Sequence, residues 1–257
     1  MRSKVFALAL LTSPSRSLRV YGQPFAAVTP STSSKLTMSN STCEDRSGQT
    51  CKIWDGFAEK YSKMPIADED AYSKKLQITQ QYLRKDMEVL EYGCGTGGTS
   101  LLHAPFVKHI LATDISAKML EIANKKKEES NVSNVDFQQV SIDQLQLPDA
   151  SKDVVLGLSI LHLLKNRDEV IAKTHRWLKP GGLFITSTTC IGDMGTLTRF
   201  VVNTGMPILN LFGLMPYVNT ITKSELKERL VTNGFSIEYE WQPKPNSAVF
   251  IIGRKGA

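Results

Sequence analysis

The stretch VLEYGCGTGG, residues 89–98, decides the fold of this chain. Its first residues belong to an apolar run from Met87 to Tyr92, which predicts a buried strand. Glycine occupies four of the next six positions, and residues 97–103 begin a predicted helix. Because glycine lets the backbone approach a ligand closely, such a turn predicts a binding site at the carboxyl end of a parallel sheet.

The residues that follow repeat the order of strand and helix. Ser116 is a suitable N-cap for one of these helices, and the run Lys179–Gly182 predicts a turn after another. The alternation predicts an α/β fold with a Rossmann-like, doubly wound sheet of seven strands, mostly parallel, with a C-terminal antiparallel hairpin. The predicted strands are 87–92, 109–113, 135–141, 153–158, 183–187, 236–241 and 248–253, and the predicted helices are 54–61, 71–83, 97–103, 117–127, 167–178 and 223–233.

The first fifty residues differ from the rest. They contain no acid before Glu44, are rich in Ser and Thr, and hold a short apolar run from Val5 to Leu11. This composition is typical of an organelle transit peptide and predicts a mitochondrial or plastid address. The alternatives are a disordered tail on a cytoplasmic protein, or a true start at Met38. We expect residues 51–257 to form the functional domain.

Charge and cysteine content argue against several classes of protein. The net charge is +6, but residues 1–50 alone hold six basic and two acidic residues, so we do not expect a nucleic-acid partner. No apolar stretch approaches the ~18 residues of a membrane-spanning helix. No metal site is expected, and free thiols in a reducing compartment are expected for the four cysteines, which lack CxxC or metal spacing: Cys43, Cys51, Cys94 and Cys190.

Two acidic residues indicate which ligand the glycine turn binds. Gly93, Gly95 and Gly98 satisfy the G-x-G-x-x-G pattern of dinucleotide sites, so a NAD-linked oxidoreductase is one alternative. Asp114 ends the second predicted strand and suits the ribose of either NAD or S-adenosylmethionine (SAM). Glu91 precedes the first glycine by two residues, where its carboxylate can face an ammonium group but would repel a pyrophosphate. Together they favour SAM.

Five motifs in order resemble those of class I SAM-dependent methyltransferases, and the nearest subgroup is the small-molecule type related to ubiquinone and menaquinone biosynthesis. The similarity extends from about Trp54 to Lys255. It implies SAM as cofactor and methyl transfer to a small molecule. The motifs are the glycine turn, TDISAKML (113–120), LPDASKDVV (147–155), LSILHLL (158–164) and LKPGG (178–182).

The resemblance implies roles for single residues on the cofactor side. Tyr61 is expected to close over the SAM carboxylate, Asp114 to bind the ribose and Met119 to pack near the adenine. Ser141-Ile142 replaces the usual Asp-Ala beside the adenine, which is a departure from the family. The expected cofactor-binding residues are Tyr61, Glu91, Gly93, Cys94, Gly95, Asp114, Ile115, Met119, Ser141, Ile142 and Leu158.

On the acceptor side, the resemblance places Leu158 and Ser159 beside the reacting methyl group. Ser159 and His162 are the candidate catalytic residues, although a histidine in an apolar run is more often structural than a base. DNA and other base-modifying enzymes of this fold often carry an Asn/Asp-Pro-Pro-aromatic motif after the fourth strand, which this chain lacks. The paired acids of a catechol-type magnesium site are also missing after the fifth strand.

Residues 191–222 are predicted to form a substrate lid, rich in Met and aromatic residues, with only Asp193 and Arg199 charged. A lid without an obvious base favours a nucleophile that needs no deprotonation, such as a thioether sulfur, and Arg199 could pair with a substrate carboxylate. S-methylation of 4-methylthio-2-hydroxybutyrate, as in algal dimethylsulfoniopropionate synthesis, would also match the leader.

Two other functions are compatible with the same residues. One is O- or C-methylation of a quinone, polyketide or lipid-like substrate, with His162 or Asp193 as base. The other is a catalytically silent methyltransferase fold that acts as a binding subunit.

Overall fold

The computed structural model describes residues 48–257, so the predicted leader lies outside the described residues except for its last three, which begin the first helix. The strands are β1 (Glu88–Tyr92), β2 (His109–Asp114), β3 (Val135–Gln139), β4 (Lys152–Leu158), β5 (Leu178–Thr188), β6 (Phe235–Trp241) and β7 (Val249–Lys255). They form one sheet in the order β3-β2-β1-β4-β5-β7-β6. Strands β1 to β5 are parallel, and β7 pairs antiparallel with both β5 and β6. The predicted α/β fold with its C-terminal hairpin is therefore confirmed. The helices are α1 (Gly48–Lys63), α2 (Glu69–Tyr82), α3 (Gly98–His103), α4 (Ala117–Glu129), α5 (Arg167–Trp177), α6 (Thr196–Leu211) and α7 (Lys223–Thr232).

The sheet has an apolar core on each face, because side chains alternate along each strand. One core contains Val89 of β1 and Leu156 of β4 and is covered by residues of α2 and α4. The other contains Leu90 and Val155 and is covered by α5 and α7. Both cores surround the central strands, so the carboxyl ends of β1, β4 and β5 are held in fixed register at one edge of the sheet.

The predicted lid contains the amphipathic helix α6. Val202 and Met206 on one face of α6 pack against Ile191 and Val218 in a small separate core. Several apolar side chains on the rest of α6 are exposed, including Leu197 and Phe200. Among residues 48–257, no helix is long and apolar enough to cross a bilayer.

Three predictions differ from the structure. Residues 179–182 are not a separate turn, because they lie within β5 as a bulge: Lys152 pairs with Leu178 and Val154 pairs with Leu183. The Arg254 side chain holds this bulge by donating to the Gly181 carbonyl at 2.7 Å. The third strand ends at Gln139, because residues 141–145 form a turn whose N–H groups at 144 and 145 donate to the Ser141 carbonyl.

The third difference concerns the cysteines. Cys51 is disulfide-bonded, so the expectation of a free thiol is wrong at this position. Cys94 and Cys190 are free and buried, as expected. The fourth cysteine, Cys43, lies outside the described residues. Sequence spacing does not reveal whether two cysteines meet in the fold, which is why this bond could not be predicted.

Candidate active site

The glycine turn joins β1 to α3, and its glycines have different neighbours. Gly97 has φ +73°, and a Cβ there would lie 2.5 Å from the Phe137 ring and 2.8 Å from Ala123. Gly97 therefore serves the packing of the turn against α4 and β3. Gly95 has φ +54°, and a Cβ there would meet only Tyr61, at 3.8 Å. Among the described residues, only the Tyr61 ring covers the backbone at Gly95, so a ligand could approach this part of the turn closely.

Gly93 and Cys94 hold the turn in place. A Cβ on Gly93 would lie 2.8 Å from the Ile160 side chain, so the turn packs closely against the residues after β4. The Cys94 N–H donates to the Thr113 carbonyl at 3.0 Å. Burial raises the pKa of the Cys94 thiol well above its usual value, with Asp114 and Glu91 adding to the effect. This thiol stays protonated and is a packing group rather than a nucleophile.

Asp114 closes the turn from the neighbouring strand. Its Oδ2 accepts the Gly95 N–H at 2.8 Å, and its Oδ1 accepts the Ser116 N–H at 2.9 Å. Burial raises the pKa of Asp114, although these backbone hydrogen bonds lower it. Each carboxylate oxygen keeps lone pairs that can accept from further donors. This geometry fits two ribose hydroxyls.

Glu91 is the second acid of the site and is almost fully buried. Its carboxylate accepts a hydrogen bond from the hydroxyl of Ser100. Burial raises the pKa of Glu91 to about 7; the Ser100 hydrogen bond opposes this effect and the Asp114 charge adds to it. Two buried acids that repel each other form a pocket that a cationic ligand stabilises and a pyrophosphate does not. The residues present therefore fit SAM, which carries ammonium and sulfonium groups.

The residues expected near the adenine follow the ends of β2 and β3. Val140 donates to the Asp114 carbonyl at 3.0 Å, which places the end of β3 beside this acid. Ser141 is buried, and its hydroxyl accepts from the Asp143 N–H at 3.3 Å. Met119 is buried in the first turn of α4, whereas Ile115 and Ile142 are partly buried.

The residues expected near the acceptor follow β4. Leu158 pairs with Ser187 of β5, and the Ser159 N–H donates to the Ser187 carbonyl at 2.7 Å. Ser159 is exposed and has φ +58°, an uncommon conformation for a residue other than glycine. Backbone strain of this kind is frequent at functional sites.

His162 lies on a short 3₁₀ helix, Leu161–Leu163, and is buried. Its Nδ1 has no hydrogen-bond partner, and burial lowers the pKa of the ring to about 4. Asp193, the other candidate base, accepts the Lys223 N–H at 2.7 Å and so caps the start of α7.

The structure adds residues that the motifs did not indicate. Asp55 of α1 accepts from the Ser116 hydroxyl at 2.6 Å and from the Lys118 N–H at 3.1 Å, which fastens α1 to the start of α4. The Tyr72 hydroxyl of α2 lies 3.2 Å from Thr99 Oγ1, directly after the glycine turn. The helical pattern of the sequence identified α2 but not what its side chains reach. Within residues 48–257, no group of three or more His, Cys, Asp or Glu could hold a metal.

Residues 90–186 match the family described as a methyltransferase domain. The matched residues include the glycine turn, Glu91 and Asp114, so the acidic site described above lies within the part of the chain that is similar to methyltransferases.

Three known proteins illustrate the similarity. An uncharacterized methyltransferase of Bacillus subtilis is 31% identical over 49% of this chain and 50% of its own length. A ubiquinone biosynthesis O-methyltransferase of Agrobacterium fabrum is 33% identical over 59% of this chain and 60% of its own length. The chain thus spans about half to three fifths of these relatives.

A crystal structure of a SAM-dependent methyltransferase from Mesorhizobium loti has the same fold. It superposes with a TM-score of 0.58 at 18% identity and covers 73% of this chain and 99% of that one.

Proposed function

We propose that this protein transfers the methyl group of SAM to a small molecule and that the accepting atom is a thioether sulfur. One observation carries the proposal: the histidine named from the sequence is poorly suited to act as a base, and the candidate acid is already engaged with the start of a helix. The buried His162 ring has its pKa lowered to about 4, and Asp193 caps a helix. A thioether sulfur needs no base, because its lone pair is nucleophilic without loss of a proton.

The bound cofactor supplies an electrophilic methyl group on a sulfonium, and the protein supplies position and charge. Asp114 and Glu91 would hold the ribose and the ammonium group, and Tyr61 covers the turn at Gly95. Burial and the charges of Asp114 and Glu91 raise the pKa of Tyr61 to about 12, so its hydroxyl stays protonated and can donate to a carboxylate. Alignment and exclusion of water then account for much of the rate.

The specific acceptor we propose is 4-methylthio-2-hydroxybutyrate, with a sulfonium product. The lid contains thioether side chains such as Met194 and Met206, and contacts of this soft, polarizable kind would suit a methylthio group. We further propose that the leader directs the protein to a mitochondrion or plastid.

A second candidate is O- or C-methylation of a quinone, polyketide or lipid-like substrate. The exposed apolar side chains of α6 support it, because Leu197 and Leu211 are each 77% exposed. The similarity to a ubiquinone biosynthesis O-methyltransferase supports it as well.

The test is a transfer assay with radiolabelled SAM and a panel of thioethers, phenols, quinols and amines. We expect the labelled methyl group to be transferred to 4-methylthio-2-hydroxybutyrate. The purified product should carry the label as a sulfonium, which is positively charged at every pH. Transfer confined to phenols or quinols would support the second candidate and end the first. Binding of SAM without transfer to any class of acceptor would instead indicate a silent binding subunit.

A further inference from the structure

Helix α2 brings a lysine to the carboxyl end of β5. Lys75 Nζ lies 3.4 Å from the Ser187 hydroxyl. Ser187 is buried and Lys75 is partly buried. Burial lowers the pKa of Lys75, and Asp68 opposes the effect. Asp68, however, pairs with Lys244 at 2.8 Å. The hydrogen-bond partner of the Lys75 ammonium is therefore a neutral hydroxyl, which leaves its charge available to an anionic ligand.

This lysine lies on the acceptor side of the site. Ser187 pairs in register with Leu158, and its carbonyl accepts from Ser159. These are the two residues expected beside the reacting methyl group. Strand β5 is separated from β1 by β4, so Ser187 lies roughly 10 Å from the strand that carries the glycine turn. Lys75 is thus displaced from the turn toward the position of the acceptor.

Neighbouring residues of α2 show that the helix spans both halves of the site. Tyr72, one helical turn before Lys75, reaches Thr99 next to the glycine turn. Lys75 reaches β5 instead. Lys74, the adjacent lysine, lies over the Trp241 ring, 4.5 Å from its centroid. The two lysines have the same charge but different neighbours, so Lys74 provides a matched control.

We propose that Lys75 and Ser187 form an anion subsite that binds the carboxylate of the methyl acceptor, which makes the acceptor a small organic acid. This inference rests on the proposed methyl transfer to a small molecule. The ammonium has three donors, of which Ser187 takes one, and the Ser187 hydroxyl can accept from Lys75 while it donates to a carboxylate. Arg199, the cation suggested by the sequence, is an exposed residue of α6, whereas Lys75 is partly buried beside β5.

The test compares Lys75→Met with Lys74→Met, using 4-methylthio-2-hydroxybutyrate and its methyl ester as probes. Both probes contain the thioether, but only the acid carries a charge. For Lys75→Met we expect KM for the acid to rise about 10- to 100-fold, as expected for loss of a charged hydrogen bond. KM for the ester and the Kd for SAM should change less than about twofold. Lys74→Met should change none of these constants.

Two results would overturn the subsite. A loss of SAM affinity in Lys75→Met equal to the loss for the acid would place the lysine on the cofactor carboxylate. An equal loss for acid and ester would indicate a structural role, which thermal unfolding of both variants would reveal.

A binding measurement separates this inference from the proposed function. Calorimetry with the S-adenosylhomocysteine complex would measure binding of 4-methylthio-2-hydroxybutyrate and of 5-methylhexanoate, an acid without sulfur. Binding of both acids that depends on Lys75, without methyl transfer, would retain the subsite and reject the thioether reaction. Methyl transfer to the ester with no measurable binding of either acid would retain the thioether reaction and reject the subsite.

Discussion

The cofactor side and the acceptor side of this site are built differently. The cofactor side consists of the ends of β1 and β2 and the turn between β1 and α3. Both carboxylate oxygens of Asp114 accept hydrogen bonds from backbone N–H groups there. The proposed acceptor side involves α2 and α6, helices that lie outside the sheet, and α6 leaves Leu197 and Leu211 largely exposed. Strand ends fix a ligand by backbone geometry, whereas side chains on outer helices can change without disturbing the sheet. The difference explains how one cofactor site can accompany many acceptors.

The largest effect is expected for Asp114→Ala. It removes the carboxylate assigned to the two ribose hydroxyls. Each of these hydrogen bonds would be worth about 1.5–3 kcal/mol, so SAM affinity should fall at least about 100-fold. Calorimetric titration with SAM measures this change. Asp136→Ala is the control, since Asp136 is an exposed acid on the adjacent strand β3. An Asp114→Ala protein that binds SAM normally would remove Asp114 from the site.

Gly97→Ala tests whether the cofactor side is rigid. Its φ of +73° and the 2.5 Å approach to Phe137 should destabilise the fold by about 2–4 kcal/mol. Gly98→Ala is the matched control, because a Cβ there meets nothing within 4 Å, and its stability should change by no more than about 1 kcal/mol. Chemical denaturation of both variants gives the comparison, and equal stabilities would contradict the packing role of Gly97.

The cofactor side was largely predictable from the sequence, since its signals are local. Strand periodicity, the glycine run and the acid that ends β2 all lie within 30 residues of one another, and the sheet followed from their alternation. The pairs Asp55–Ser116 and Lys75–Ser187 join residues 61 and 112 positions apart. Such contacts depend on how α1 and α2 pack, and no spacing in the sequence encodes them.

The start of β5 was also missed, because it depends on tertiary contacts. The run Lys179–Gly182 contains Pro and two Gly, which favour a turn. In the fold, Leu178 still pairs with β4, and Arg254 of β7 holds the bulge that the glycines allow. Pairing with neighbouring strands overrode the local preference.

Titration of Glu91 should make both the stability of the fold and the affinity for SAM depend on pH. The pKa of Glu91 in the folded protein is about 7, above the usual 4.5. The contribution of Glu91 to the free energy of unfolding is therefore fully present below pH 4.5 and is lost as the pH rises through 7. SAM prefers the ionised carboxylate, so affinity should rise over the same range, by up to about tenfold per pH unit below 7.

Glu91→Gln should remove both dependences. The SAM-free variant should be more stable than the wild type at pH 7.5, by as much as about 3 kcal/mol. Its SAM affinity at that pH should be lower and almost constant between pH 5.5 and 7.5. Calorimetry and thermal unfolding across this range measure the two effects. If Glu91→Gln keeps the wild-type slope of affinity against pH, another group is the one that titrates.

The smallest effect is expected on the acceptor side, for His162→Leu. Loss of a general base typically lowers turnover by about 10²- to 10⁴-fold. A buried ring with an unpaired Nδ1 and a pKa of about 4 is instead a packing group, so turnover of a thioether should stay within about threefold. Stability should change by about 1 kcal/mol at most, because leucine also removes an unsatisfied polar atom. A hundredfold loss of kcat with an unchanged KM would restore His162 as a base. It would also favour an oxygen or carbon acceptor, because a thioether has no proton for a base to remove.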